Sequence, residues 1–231
     1  MPHHRGDGPA PFDIESVRRI RREYGAWAPV YDWFARATSS IGGVRDGCVA
    51  ALDLDPGDTV VDFGCGPGVN FPALREAVGP EGRVVGVDVT RPMLERARGL
   101  AERRGWENVS LVQGDATNPP IESADAVLAT FVTSLFPDPY AVCGWCELAD
   151  SVVVANFAPH GGRVANAALG AFARLNARLF DFEAADPLRQ LDARTAESRR
   201  ALSDCLDSVD YRDYVFGTIR VHAGHRRSDA E

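Results

Sequence analysis

The most constraining feature of this chain is Thr59-Val60-Val61-Asp62-Phe63-Gly64-Cys65-Gly66-Pro67-Gly68-Val69-Asn70. Val60, Val61 and Phe63 are β-branched or aromatic, as a strand buried on both faces of a parallel sheet requires. Glycines at 64, 66 and 68 then make a turn without β-carbons. Such a turn lets backbone amides approach a ligand at the carboxyl end of the strand before a helix begins. A chain built around this unit is expected to be α/β.

The unit recurs further along the chain. Asn70 to Val78 is expected to be a helix, broken by Gly79-Pro80-Glu81-Gly82. Arg83–Asp88 reads as a second strand ending on a carboxylate, and Thr90 caps a helix running to about Arg104, with Pro92 and Met93 in its first turn. Asn108–Gln113 is the third strand, closed by Gly114-Asp115-Ala116, and Ala124–Thr130 is the fourth. A helix over Pro139–Leu148 and a fifth strand over Ser151–Phe157 come next. This alternation predicts a Rossmann-like, doubly wound, mostly parallel seven-stranded sheet. Helices over Ala165–Phe180 and Ala193–Leu206 are joined by a loop through Glu183 and Asp186-Pro187. Strands Tyr211–Phe216 and Thr218–Ala223 around Gly217 form an antiparallel hairpin that finishes the sheet.

Ahead of the sheet the pattern differs. Residues 1–12, rich in Gly, Pro and His, are expected to be disordered, and 224–231 to be a frayed tail. Between them lies one domain, 13–223, with a helical lid over 13–54 and a helical insertion over 163–207 that shapes an acceptor pocket. Val17, Ile20, Tyr24, Trp27, Tyr31 and Phe34 share a helical face, interrupted at Pro29, while Arg18, Arg19, Arg21 and Arg22 occupy the other. Two readings stand: a lid with a solvated basic face, or a lid whose N-terminal helix also makes peripheral contact with a membrane or covers a lipid-like substrate. A further helix over about Val44–Leu52 leads into the turn Asp55-Pro56-Gly57-Asp58.

At 231 residues the chain is long enough for a full core, and all 25 of its basic residues are arginine. Its net charge of -8 argues against a general nucleic-acid binder. Five scattered cysteines do not make a secreted disulfide framework, no apolar run reaches the length of a membrane span, and the start is no signal peptide. A soluble, cytoplasmic protein is expected.

Ligands of an open parallel sheet sit beyond the carboxyl ends of its strands. Asp62, Asp88 and Asp115 all fall there, and Asp88 lies at the spacing past the glycines where a carboxylate accepts from ribose hydroxyls. A nicotinamide-dependent oxidoreductase is the competing reading. Its third glycine would stand at 69, which is Val69; the shorter G-x-G-x-G spacing suits a ligand with an amino-acid end and no pyrophosphate.

From about Tyr24 to Phe157 the sequence resembles the class I S-adenosylmethionine-dependent methyltransferases. Val61-Asp62-Phe63-Gly64-Cys65-Gly66-Pro67-Gly68 matches the family's first motif, Asp88 its ribose-binding acid, and Asp115-Ala116 its adenine-contacting position. The resemblance implies S-adenosyl-L-methionine as cofactor and S-adenosyl-L-homocysteine as product. Asp62 with the loop (Gly64, Cys65, Gly66, Gly68, Asn70) would hold the methionine end, Asp88 the ribose, and Met93 would pack on the adenine, with Val89 a further cofactor-binding residue. Thr130 and Phe131 would line the floor. Tyr24-Gly25-Ala26-Trp27-Ala28-Pro29-Val30-Tyr31-Asp32 is similar to the N-terminal signature of ubiquinone/menaquinone C-methyltransferases and bacterial phosphatidylethanolamine N-methyltransferases, which places Tyr24 and Tyr31 near the cofactor's carboxylate or the substrate. The arginine that the quinone branch carries after the fourth strand is missing from Phe131–Pro139, which leans toward the phospholipid-like branch.

The partner implied is a small-molecule methyl acceptor, lipid-like or quinone-like; the oligomeric state is not set by the sequence. A base is needed only for an acceptor that arrives protonated. His160, just past the fifth strand, is the best-placed candidate by topology, and Tyr31 the next. No metal site is expected: His3-His4 and the single Cys143-Gly144-Trp145-Cys146 lack further ligands. A non-catalytic S-adenosylmethionine-binding protein is the third reading.

Overall fold

The computed structural model describes residues 43–133, 141–179 and 186–227. The lid segment of residues 13–42, with Tyr24 and Tyr31, lies outside them, as do residues 1–12, Pro139 and the chain end from 228. The elements in order are α1 (Val44–Ala50), β1 (Thr59–Phe63), α2 (Phe71–Val78), β2 (Arg83–Asp88), α3 (Arg91–Arg104), β3 (Val109–Gln113), β4 (Ala126–Thr130), α4 (Ala141–Leu148), β5 (Ser151–Phe157), α5 (Arg163–Leu179), α6 (Pro187–Cys205), β6 (Ser208–Tyr214) and β7 (Ile219–His225). Among the described residues no helix is long and apolar enough to cross a membrane.

The seven strands form one sheet in the order β3-β2-β1-β4-β5-β7-β6. The first five are parallel, and β7 runs antiparallel between β5 and β6. From β1 the chain winds outward through β2 to β3, then returns to the other side of β1 for β4 and β5. The direction of winding therefore switches between β1 and β4, which opens a crevice at their carboxyl ends.

Alternation along the strands sorts the core into two layers. Val60, Val84, Leu128 and Val153 pack with Val44, Cys48, Phe71, Leu74 and Leu94 of α1, α2 and α3. Val61, Val85, Val127 and Val152 pack with Val142, Trp145, Ala201 and Leu202 of α4 and α6 on the opposite face. Because side chains alternate, Asp62 shares a face with Val60 and points toward α1 and α2.

Three elements differ from their expected form. The hairpin is shifted: β6 starts at Ser208, a short 3₁₀ turn occupies Val215–Gly217, and β7 continues to His225, pairing Gly224 with Val152 and His225 with Ser151. The expected tail is thus sheet for its first two residues. Arg226 then ties the chain back, its N–H to the Asp150 carbonyl and its Nε to Asp150 Oδ1, both at 2.8 Å. α6 is longer than expected and begins at Pro187, because Asp186 accepts from the Arg189 N–H and caps it. Its buried face of Thr195, Ser198, Ala201 and Leu202 covers β5, so it is a layer of the sheet as much as an insertion. Likewise α1, grouped with the lid by sequence, is core: Val44, Cys48 and Leu52 are fully buried.

Candidate functional site

Register brings the carboxylates to one edge. Asp62 pairs with Gly86 of β2 and Leu128 of β4, and Phe63 with Val87 and Ala129, so Asp88 and Thr130 each stand one residue further along. Asp62 is completely buried. The Asn70 amide, just ahead of α2, donates from Nδ2 to Asp62 Oδ1 at 3.0 Å, to Oδ2 at 3.1 Å and to Thr130 Oγ1 at 3.1 Å. Arg45 donates from a guanidinium nitrogen to the Asn70 Oδ1. Burial, the largest influence, pushes the Asp62 carboxyl up to about 7, against the Asn70 hydrogen bond and the Arg45 charge, which lower it.

Asp88 sits beside this group. Its Oδ2 accepts from the Gly66 N–H at 2.9 Å and its Oδ1 from the Thr90 N–H at 2.7 Å. Burial raises its pKa while those two backbone hydrogen bonds lower it. Asp115 organises the turn after β3: its Oδ1 accepts from the N–H and hydroxyl of Thr117, each at 2.8 Å. Ala116 is buried there, and its carbonyl accepts from Trp145 Nε1 at 2.7 Å. Met93 is buried in the first turn of α3, and Val89, just past β2, is half-buried.

The glycine turn behaves differently from its expected role. The N–H groups of Gly64 and Cys65 both donate to the Val87 carbonyl, that of Gly66 to Asp88, and that of Gly68 to the Cys65 carbonyl. These four donors stitch β1 to β2 and close the turn instead of facing a ligand. What the glycines supply is conformation and room. Gly64 has φ +65, and a Cβ on it would lie 2.5 Å from Val132 Cγ2; Gly68 has φ +83, and its Cβ would lie 2.6 Å from Phe71. The Cys65 thiol is turned inward toward Gly86, and burial raises its pKa, so it packs.

At the end of β4 the chain turns sharply. Phe131 has φ +61, an unusual conformation for a residue with a side chain. Its N–H donates to the Ala155 carbonyl at 2.8 Å. Its ring lies 4.7 Å from that of Phe157, which is 5.6 Å from Phe172 of α5. The half-buried row Phe131-Phe157-Phe172 is an apolar wall beside Thr130. On α5, Leu169 is buried and Ala167 exposed.

His160 is exposed on the same edge, beyond β5. Its Nε2 lies 3.3 Å from Asp192 Oδ1 on α6, and its N–H donates to the Gly217 carbonyl. These contacts hold it to α6 and the hairpin, and the structure does not bring it into the hydrogen-bonded group of Asp62, Asn70 and Thr130. On α4 the Cys143 thiol donates to the Ala201 carbonyl of α6 and the Cys146 thiol to the Val142 carbonyl, and burial, reinforced by the nearby Cys205, pushes both thiols up to about 12. They remain protonated packing groups. Among the described residues no group of three or more His, Cys, Asp or Glu is arranged to hold a metal.

Two contributors escaped sequence reading. Arg45 stands on the apolar face of α1 with Val44, Cys48 and Val49, and a guanidinium in that stripe was the available signal. Trp145, fully buried, stacks on Phe63 with centroids 5.1 Å apart while its N–H holds Ala116. Its sequence context shows only a C-x-x-C.

A family model described as a methyltransferase domain matches residues 54–181, more than half of the chain. Nocamycin O-methyltransferase of Saccharothrix syringae is 45% identical over 94 residues, which is 39% of this chain and 33% of that protein. Aklanonic acid methyltransferase DauC of Streptomyces sp. (strain C5) is 38% identical over 111 residues, 47% of each chain. The chain thus spans a third to a half of the length of these relatives. A SAM-dependent methyltransferase from Aquifex aeolicus superposes with a TM-score of 0.60 at 14% identity, over 92% of this chain and 98% of that one.

Proposed function

The chain belongs to the methyltransferase-domain family and has the Rossmann-like fold of the class I S-adenosylmethionine-dependent enzymes; from that membership we propose that it transfers a methyl group from S-adenosylmethionine to a small apolar acceptor. The observation that carries the reading is how the site spends its donors. The N–H groups of Gly64, Cys65, Gly66 and Gly68 are all consumed within the fold, while the side chains of Asp62, Asp88 and Asp115 lie at the carboxyl ends of β1, β2 and β3. Such an edge accepts hydrogen bonds from hydroxyls and an ammonium and offers little to a pyrophosphate. This disfavours a nicotinamide dinucleotide.

The residues fit the cofactor part by part. Asp88 already accepts one backbone N–H on each oxygen, and each oxygen keeps a lone pair for a ribose hydroxyl. Asp115-Ala116, held by Thr117 and Trp145, and the buried Met93 would border the adenine. Asp62, Asn70 and Thr130 form the polar corner for the amino-acid end. When bound, S-adenosylmethionine supplies an activated methyl group on a sulfonium. The chain's own task is then alignment of the acceptor and exclusion of water, and positioning alone contributes roughly 7–11 kcal/mol in favourable cases. Phe131, Phe157 and Phe172 offer the acceptor an aromatic wall.

The names of the two relatives support a small-molecule acceptor, and the N-terminal resemblance supports a lipid-like or quinone-like one. His160, oriented by Asp192, is the proposed base for an acceptor that arrives protonated. Calorimetry with S-adenosylmethionine, S-adenosylhomocysteine and the nicotinamide dinucleotides tests the cofactor: the first two should bind and the dinucleotides should not. Transfer of labelled methyl groups to components of a cell extract tests turnover. Tight binding without transfer would favour the non-catalytic alternative.

A further inference from the structure

We propose that Arg45 is a positioning residue of the cofactor pocket: through the Asn70 amide it sets which way the pocket's hydrogen-bond donors point, and it stands as the counter-charge behind Asp62 when that side chain receives an ammonium group. This role rests on the cofactor reading above and extends it to a residue outside every motif of the chain. Arg45 lies on α1, fourteen residues before β1 begins, and is only 7% exposed. A guanidinium can only donate, so its contact with Asn70 Oδ1 identifies that atom as the oxygen. The amide nitrogen is thereby turned to Asp62 and Thr130, and the four side chains Arg45, Asn70, Asp62 and Thr130 form one oriented chain.

The charge balance around Asp62 supplies the second reason. Facing it are Arg45 and Cys48 of α1, Asn70 ahead of α2, Cys65 of the turn, Asp88 of β2 and Thr130 of β4. Burial raises the pKa of both thiols and keeps them neutral, and Asp88 opposes ionisation of Asp62. Arg45 is the cation that acts on Asp62 among these groups. A carboxylate this deeply buried ionises only with such a counter-charge, and only as an anion can it pair with an incoming α-ammonium. Cofactor binding should then expel protons from Asp62 near neutral pH.

The test is calorimetry with S-adenosylhomocysteine between pH 5.5 and 8.5, in buffers of different ionisation heat. Wild type should release protons on binding near pH 7, with affinity falling as the pH drops further. Arg45→Met should bind about tenfold more weakly at pH 7, its midpoint moved up by about one unit. Arg45→Lys keeps the charge and should leave the midpoint in place, while losing affinity about fivefold because an ammonium lacks the planar fork. An unmoved midpoint in Arg45→Met, or wild-type affinity in Arg45→Lys, overturns the inference. Should the Met variant not fold, absence of proton release by wild type overturns it too. If wild type binds no S-adenosyl ligand, the proposed function fails instead. Carbon NMR of the Asp62 carboxyl in the unliganded wild type, Arg45→Lys and Arg45→Met then decides this point separately: a pKa similar in the first two and about one unit higher in the third supports it, and the same pKa in all three overturns it.

Discussion

Asp88 holds two backbone N–H groups and still faces the crevice, so its removal acts on ligand and loop together. Asp88→Ala is expected to weaken cofactor binding at least about tenfold, or about 1.4 kcal/mol, by calorimetry. Unchanged affinity would remove the ribose assignment. Gly64→Ala combines a φ of +65 with a Cβ 2.5 Å from Val132, and should destabilise the fold by about 1–3 kcal/mol in urea unfolding. His160→Ala is the informative surface change: full turnover in this variant would end its candidacy as base, since its partner Asp192 merely orients it. Asp62, Asp88 and the glycines were legible from spacing because backbone geometry dictates them. Arg45 was not, since the groove it fills is assembled from α1, α2 and β4, far apart in sequence.

At the level of elements, α4 links the second core layer to the site. Trp145 lies against Phe63 of β1 and donates to the Ala116 carbonyl beside Asp115. Trp145→Phe keeps an aromatic ring and removes the donor, leaving a buried carbonyl without its partner. The expected cost is about 1–3 kcal/mol in urea unfolding, accompanied by weaker binding of S-adenosylhomocysteine. Equal stability with wild-type affinity would show that the Asp115 turn does not depend on α4. Strands β1, β2 and β5 were readable because their side chains are buried on both faces and their ends are marked by turns. The hairpin was misplaced by one to three residues, because β6 is an edge strand with a mostly exposed pattern and its bounds follow from pairing with β7. The start of α6 was set late for a related reason: Asp186-Pro187 reads as a loop unless Asp186 is seen to cap.

Across the whole molecule, two buried titratable groups pull stability in opposite directions. His222 of β7 is 1% exposed, and Nδ1 finds no hydrogen-bond partner among the described residues. Burial, with help from the nearby Arg220 and Arg199 charges, pushes its pKa down to about 4 from 6.5. The unfolded chain then binds more protons between those values, so stability is full above pH 6.5 and is lost as pH falls toward 4. Asp62 has the reverse sign. Its pKa is raised from 3.8 to about 7, so its contribution is present below 3.8 and lost as pH rises through 7. Each amounts to about 3–4 kcal/mol at most, and between pH 4 and 6.5 they largely cancel. Thermal unfolding of unliganded protein should therefore change little over that interval. His222→Leu should expose the Asp62 slope, with stability falling from about pH 4 to 7; a flat profile in that variant would contradict both assignments.

The local order of residues was enough to establish the βαβ repetition and to put three acids at the carboxyl ends of its strands. Those follow from hydrophobic runs, turn chemistry and spacing, all of which act over a few residues. Only the folded arrangement decided that the glycine turn's donors are spent within the fold and that α6 roofs the sheet. It alone brought Arg45 behind Asn70. These depend on pairing and burial between segments distant along the chain, where the free energy of a contact is unknown until both partners are in place.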